Sequence, residues 1–139
     1  MINLSIHFKR IAMSTIEATM TIQEVANRLT ALCRQGKYEE AQKELYSDDA
    51  ESLEPAGSPG LQSVKGLDAI IKKGHDFQSM VEAIHSGSVT DPIIAGNTFA
   101  VAAILDLTMK GMGRLKMEEV AVYTVKDGKV IKEQFFYSV

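Results

Sequence analysis

Several things are scarce in this chain of 139 residues. Cysteine occurs once, at Cys33, which excludes an intramolecular disulfide framework and fits a reducing compartment, so a cytoplasmic location is expected. No apolar run approaches the roughly 20 residues that carry a helix across a bilayer, so no membrane association is expected. Basic excess is missing: 15 Lys and Arg stand against 18 Asp and Glu, a net charge of -3, the wrong sign for a nucleic-acid binder. Internal repeats and low-complexity tracts are absent. The histidines and acids show no metal-ligand spacing such as His-x-x-x-His. Gly57-Ser58-Pro59-Gly60 lacks the lysine and the strand-to-helix setting of a phosphate loop. Neither a metal nor a cofactor is implied.

What is present is ordinary globular material. Apolar residues make up 45% and charged residues 24%, and the length suits one domain with its own core. In Met1 to Ala12 the charges of Lys9 and Arg10 follow a short apolar run instead of preceding a long one, which is not the pattern of a secretory signal. Residues 1–20 read as an N-terminal arm, either loosely tied or packed on a neighbouring subunit. Residues 21–139 read as the single domain.

Thr21-Ile22-Gln23-Glu24 is a capping box, in which hydroxyl and carboxylate each satisfy a free N–H at a helix start. Ile22, Val25, Leu29, Leu32 and Cys33 follow at helical spacing, and Gly36 is placed to end the helix. A second helix is expected from about Lys37 to Leu45, a turn at Ser47-Asp48-Asp49 and a short strand over Ala50 to Glu54. Pro55 to Gly60 is a loop on its turn chemistry. A third helix is expected from about Gly66 to Ala83, with Gly74 inside it for close packing on the sheet. After His85 the period changes from 3.6 to 2. Strands are expected over Ser88 to Ile94, Thr98 to Lys110, Arg114 to Lys126 and Val130 to Val139. Helices first and an antiparallel meander second is an α+β order.

Alternation assigns the faces of the sheet. In the two long strands the odd positions are apolar: Phe99, Val101, Ala103, Leu105, Leu107 and Met109, then Leu115, Met117, Ala121, Tyr123 and Val125. Glu119 interrupts that row. An ionised carboxylate buried without a partner is too costly to persist, so Glu119 must reach water, pair with a cation or hold its proton. Water access and a held proton both describe a ligand pocket; a cation partner would make Glu119 purely structural. A three-residue Lys126-Asp127-Gly128 loop would keep odd facing odd across the last hairpin. It would bring Glu133, Phe135 and Tyr137 onto the face of Glu119. A two-residue loop would turn Lys132 and Gln134 inward. The even positions Ala100, Ala102, Ile104, Val120, Val122 and Phe136 are apolar as well, and an outer face of that kind calls for a homodimer through it. His85 and His75 are read as surface or helix-end residues, and Cys33 as core.

Glu44 to Ala50, Lys65 to Ile70 and Val125 to Val130, taken in order, resemble the nuclear transport factor two-like superfamily over about Thr21 to Val139, its SnoaL-like and ketosteroid isomerase-like members in particular. The resemblance implies a cone: a curved antiparallel sheet wrapped around three N-terminal helices, with a pocket at the open end and a dimer. Those members include enzymes, binders and adaptors, so the fold alone names no activity. The resemblance places Glu54, just before Pro55, where a proton-shuttling acid stands in ketosteroid isomerases. It also puts Leu29 and Ala121 where that enzyme carries its two oxyanion donors. Without those donors classical ketosteroid isomerase activity is not expected. Nor is the arginine-between-acids pattern of limonene epoxide hydrolases, since Arg114 falls on the outer face. The reading is a protein that binds a small apolar molecule, with cofactor-free acid–base chemistry on a carbonyl compound. Glu54 and Glu119 are its candidate catalytic residues, and Tyr137, Met117, Phe135 and Glu133 its candidate ligand contacts. The alternative is a non-catalytic binding or interaction domain of the same fold.

Overall fold

The computed structural model describes residues 19–139; the readings for the rest of the arm, residues 1–18, lie outside them. Helix α1 (Ile22–Arg34) is followed by α2 (Tyr38–Leu45), β1 (Tyr46–Leu53), β2 (Val64–Lys65), α3 (Leu67–Met80), β3 (Val81–Val89), β4 (Ile93–Ala95), β5 (Thr98–Met109), β6 (Gly113–Lys126) and β7 (Lys129–Phe136). The fold is α+β, as expected. The strands form one sheet in the order β2-β1-β7-β6-β5-β3, with β4 paired to the start of β5. It is mixed where a fully antiparallel sheet was expected, because β1 runs parallel to β7.

The capping box forms: Thr21 Oγ1 accepts from the Glu24 N–H at 3.2 Å and Glu24 Oε1 accepts from the Thr21 N–H at 3.1 Å. Gly36 ends the helix at φ 73°. The core joins α1 (Val25, Ala26, Leu29), Leu45 and Tyr46 at the α2–β1 junction, and Ile70 of α3 to the inner sheet residues Phe99, Val101, Ala121, Tyr123, Val125 and Val130. The Phe99 and Tyr123 rings, opposite each other across β5 and β6, stack at 4.8 Å between centroids.

Four local expectations are corrected. Ser47-Asp48-Asp49 lies within β1, in the irregular stretch between the Tyr46–Val130 and Glu51–Lys132 pairs that tie the strand to β7 on either side, and the two aspartates stay exposed. Helix α3 stops at Met80, where Val81 is already paired with Met109 and the Lys110 N–H bonds the Met80 carbonyl. The strand expected over Ser88 to Ile94 is two strands, split around Pro92, which has no N–H to give a ladder. The last hairpin turns on two residues, not three: Lys126 pairs with Lys129, and Asp127 and Gly128 both take positive φ, 51° and 74°. A bulge between Thr124 and Val125 then shifts the register, so that Tyr123 faces Glu133 and Ala121 faces Phe135. Odd faces odd after all, by a different device.

Along the inner face, burial dips in the middle. Phe99, Val101, Ala121 and Tyr123 are buried, as are Leu107 and Met109, whereas Ala103, Leu105, Leu115, Met117 and Glu119 between them are half-buried. Helices cover the first group and leave the dip, where Glu119 projects.

Candidate functional site

Strand β1 presents Ala50 and Ser52 to the interior, both fully buried, and two residues on comes Glu54. Alternation thus puts Glu54 on the same side, with 4% of its side chain exposed. Strand β7 lies alongside, with Ser52 opposite Glu133 in parallel register. Strand β6 adds Glu119, opposite Ala103. Three carboxylates from three neighbouring strands therefore face one space. Helix α3 closes it with Lys73, three residues after the buried Ile70 and only 14% exposed.

Glu133 sits deep in the site, not at its rim. Tyr46 OH donates to its Oε1, and Ser52 Oγ donates to its Oε2 at 2.6 Å. Burial pushes the Glu133 carboxyl above its ordinary range, while the two hydroxyls and Lys73 pull the other way. The Ser52 hydroxyl has one proton and gives it to Glu133, so it accepts from Lys73 Nζ at 2.8 Å. The Lys73 ammonium also lies 3.6 Å from Glu54 Oε2 and 5.5 Å from the centroid of the Phe135 ring.

Glu54 is held by the rim. Tyr137 OH donates to Glu54 Oε1 at 3.3 Å and lies 2.6 Å from Ser58 Oγ, in the Pro55–Gly60 loop. With the Tyr137 proton on Glu54, Ser58 is the donor to Tyr137. Glu54 Oε2 is buried without a hydrogen bond among the described residues. Burial raises the Glu54 carboxyl against the opposing pull of Lys73.

Glu119 differs from both. Among the described residues it has no hydrogen-bond or ion-pair partner. Burial first, then the neighbouring charges of Glu54 and Glu133, push its pKa up to about 7 against the attraction of Lys73. A carboxyl that titrates near neutrality can both take and return a proton under physiological conditions.

Of the six sequence-predicted site residues, Glu54, Glu133 and Tyr137 are joined through the contacts above, Glu119 faces the same space without a partner among the described residues, Phe135 lies beneath Lys73, and Met117 is half-buried one inward step from Glu119. Lys73 and Ser52 were missed, and Tyr46, whose hydroxyl the sequence offered to a ligand behind that of Tyr137, gives it to Glu133. Lys73 was legible in principle, being the one charged residue at helical spacing on the stripe Leu67, Ile70, Phe77. Leu29 and Ala121 are apolar core and supply no donor. His75 is exposed and bonded to Glu39, and His85 is exposed and bonded to Thr108. Arg114 pairs with Asp106, away from the acids. Cys33 borders the core, and burial pushes its thiol up to about 12. A separate depression of about 580 Å³, lined by Asp48 and residues 65–69, contains none of the three acids.

The SnoaL-like domain pattern matches residues 20–137, which span every element described. The chain belongs to the SnoaL-like family. The SnoaL-like domain is similar to a proposed SnoaL-like polyketide cyclase from Mesorhizobium loti, with 38% identity over 85% of this chain and 100% of that one and a TM-score of 0.79. It shares its fold with a ketosteroid isomerase-like protein from Catenulispora acidiphila in complex with trimethylamine (17% identity, 86% and 88% of the two chains, TM-score 0.63). It also shares it with TerC co-crystallised with polyporic acid (18% identity, 83% and 89%, TM-score 0.67). None of the curated proteins is significantly similar in sequence. No helix among the described residues is long and apolar enough to cross a membrane.

Proposed function

We propose that this SnoaL-like domain binds a small, largely apolar carbonyl compound between the inner sheet face and α3. It acts on that compound by cofactor-free acid–base chemistry: isomerisation, cyclisation or dehydration. The observation that carries the reading is Glu119, a half-buried carboxyl without a partner among the described residues and titrating near 7, in a dip of an apolar face. Glu119 is the base and then the acid at carbon. Glu54 is the second acid, oriented by Tyr137, whose ring borders the ligand at the rim. Met117 and Phe135 are apolar walls, and Glu133 orders the floor. The likeness to a proposed polyketide cyclase and the fold relatives crystallised with small molecules support this reading.

The test is deuterium exchange at the carbon next to the carbonyl of cyclohexanone and 2-tetralone in D2O, followed by NMR. The expected result is exchange above the buffer rate that rises with pH through about 7 and falls on the order of 100-fold in Glu119→Gln. Binding without exchange would favour the second reading, a non-catalytic ligand-binding domain. The observation behind that reading is that Leu29 and Ala121 offer no oxyanion donors where the resemblance calls for them.

The outer face supports a homodimer. Phe136, Val120 and Ala102 are successive partners in one row across β7, β6 and β5, and all three are exposed, with Ile93 and Ile104 exposed nearby.

A further inference from the structure

Lys73 is the group that the acid–base reading leaves without a task. Only 14% of its side chain is exposed, yet of its three N–H groups just one has a hydrogen-bond acceptor among the described residues, the Ser52 hydroxyl at 2.8 Å. Glu54 Oε2, at 3.6 Å, is an ion-pair partner of the ammonium but too far to accept one of its N–H groups, and the Phe135 face satisfies no N–H in particular. A largely buried ammonium needs hydrogen-bond or ion-pair partners, and each N–H left without an acceptor is a donor that a bound oxygen can use. Its position is fixed from behind: Ser52 accepts from Lys73 because its own proton is committed to Glu133, whose other oxygen is taken by Tyr46. The chain Lys73–Ser52–Glu133–Tyr46 therefore anchors the ammonium and leaves donors for the space that the three acids share.

We propose that Lys73 is the electrophile of this site: its unused N–H groups take the oxygen of a bound carbonyl compound and hold the negative charge that develops there. The proposal rests on the acid–base reading of the pocket. In the step, the Glu119 carboxylate takes the proton from the carbon beside the carbonyl. The C–H electron pair becomes the new C=C bond, and the carbonyl π pair moves onto oxygen beside the ammonium. The charge on Glu119 is neutralised as the charge on oxygen forms, so the site holds the same net charge before and after. An anion facing Glu54, Glu119 and Glu133 is thus not one charge too many. This supplies the oxyanion stabilisation for which Leu29 and Ala121 offer nothing, from α3 instead of from α1 and β6. Ser52 and Glu133 are positioning residues. The substrate class narrows to compounds with an enolisable carbonyl.

The experiment titrates the protein with 4-nitrophenol, whose anion is read by absorbance, and with the uncharged 4-nitroanisole, at a pH where the free phenol is mostly neutral. The wild type is expected to bind the phenol as its anion. Lys73→Met should bind it about tenfold more weakly and leave the bound probe neutral, the loss of one charge-assisted hydrogen bond. Its affinity for 4-nitroanisole should be little changed, which also shows that the variant is folded. Lys73→Arg should keep the anion band. An unchanged anion band and affinity in Lys73→Met would overturn the inference while leaving the pocket reading intact. So would a borohydride-trapped adduct of 2-tetralone on Lys73, which would make the lysine a nucleophile. Failure of the wild type to bind either probe would overturn the pocket reading itself, and this inference with it.

Discussion

Ser52 Oγ lies 2.6 Å from Glu133 Oε2, with both side chains buried and the two residues opposite each other where β1 runs parallel to β7. The pair joins the mixed part of the sheet to the acidic floor of the site. Because Ser52 also accepts from Lys73, each partner depends on the others for satisfaction. Ser52→Ala strands a carboxylate oxygen and an ammonium N–H together. It should cost about 1–3 kcal/mol in urea denaturation, and Tyr46→Phe a similar amount. The Ser52→Ala and Lys73→Met changes should be non-additive in a double-mutant cycle, whereas Ser52→Ala and Arg28→Ala, an exposed pair partner of Glu44, should add.

Glu119 makes stability fall with rising pH. Its carboxyl titrates at about 7 in the folded protein against the ordinary 4.5, because burial and the neighbouring acids disfavour its charge. Between those values the folded state holds a proton that the unfolded chain has released. The folded state is therefore progressively disfavoured as pH rises from about 4.5 to about 7, and the cost is complete above that window. Glu119→Gln removes the titration. Its urea midpoint should exceed that of the wild type at pH 8 and match it at pH 4. Equal pH dependence in the two proteins would contradict the assignment.

Two glycines should respond in opposite directions. Gly128 takes φ 74° in the hairpin turn, and a Cβ there would stand 2.8 Å from the Met20 backbone nitrogen and 3.0 Å from its oxygen. Gly128→Ala should cost about 1–3 kcal/mol, and Gly128→Asn, which tolerates the dihedral, should still lose stability because the obstacle is backbone. Gly74 was expected to permit close packing, but a Cβ there meets nothing within 4 Å. Gly74→Ala, in the interior of α3, should gain up to about 1 kcal/mol. Thermal melts of the three variants decide both points.

Cys33 should be chemically quiet in the native protein. Burial pushes its thiol up to about 12, so the reactive thiolate is scarce at neutral pH. A disulfide reagent such as dithionitrobenzoate should label it at the rate of unfolding, and rapidly in denaturant. Fast labelling of the folded protein would show that the α1 stripe opens.

The outer-face row predicts a concentration-dependent dimer. Val120→Lys places a charge between Phe136 and Ala102, and two copies of it would meet in a symmetric interface. Sedimentation equilibrium should show the wild type as a dimer at micromolar concentration and Val120→Lys shifted to monomer with an unchanged thermal transition in the dilute limit. A monomeric wild type would remove the proposed dimer.

The sequence by itself determined the parts of this protein that depend on neighbours along the chain. The Thr21–Glu24 box starts a helix because both partners lie within one turn. The odd row of β5 and β6 is the inner face because alternation is a property of an extended backbone. Glu119 stood out for the same reason, as one acid in an apolar row. Sequence did not determine where the chain stops being helix, because Met80 yields to the sheet only when Met109 is there to pair with Val81 and Lys110 with Met80. It did not determine the hairpin either: the two-residue turn alone would have sent Glu133 outward, and the bulge at Thr124–Val125, set by the pairing of the whole strand, brought it back. Most of all, it could not assemble the floor of the site. Tyr46 and Glu133 are 87 positions apart and Ser52 and Glu133 are 81, and their hydroxyls and carboxylate meet only because β1 lies beside β7. Periodicity says which way a side chain points; only the tertiary pairing of distant strands and the seating of α3 decide what it points at.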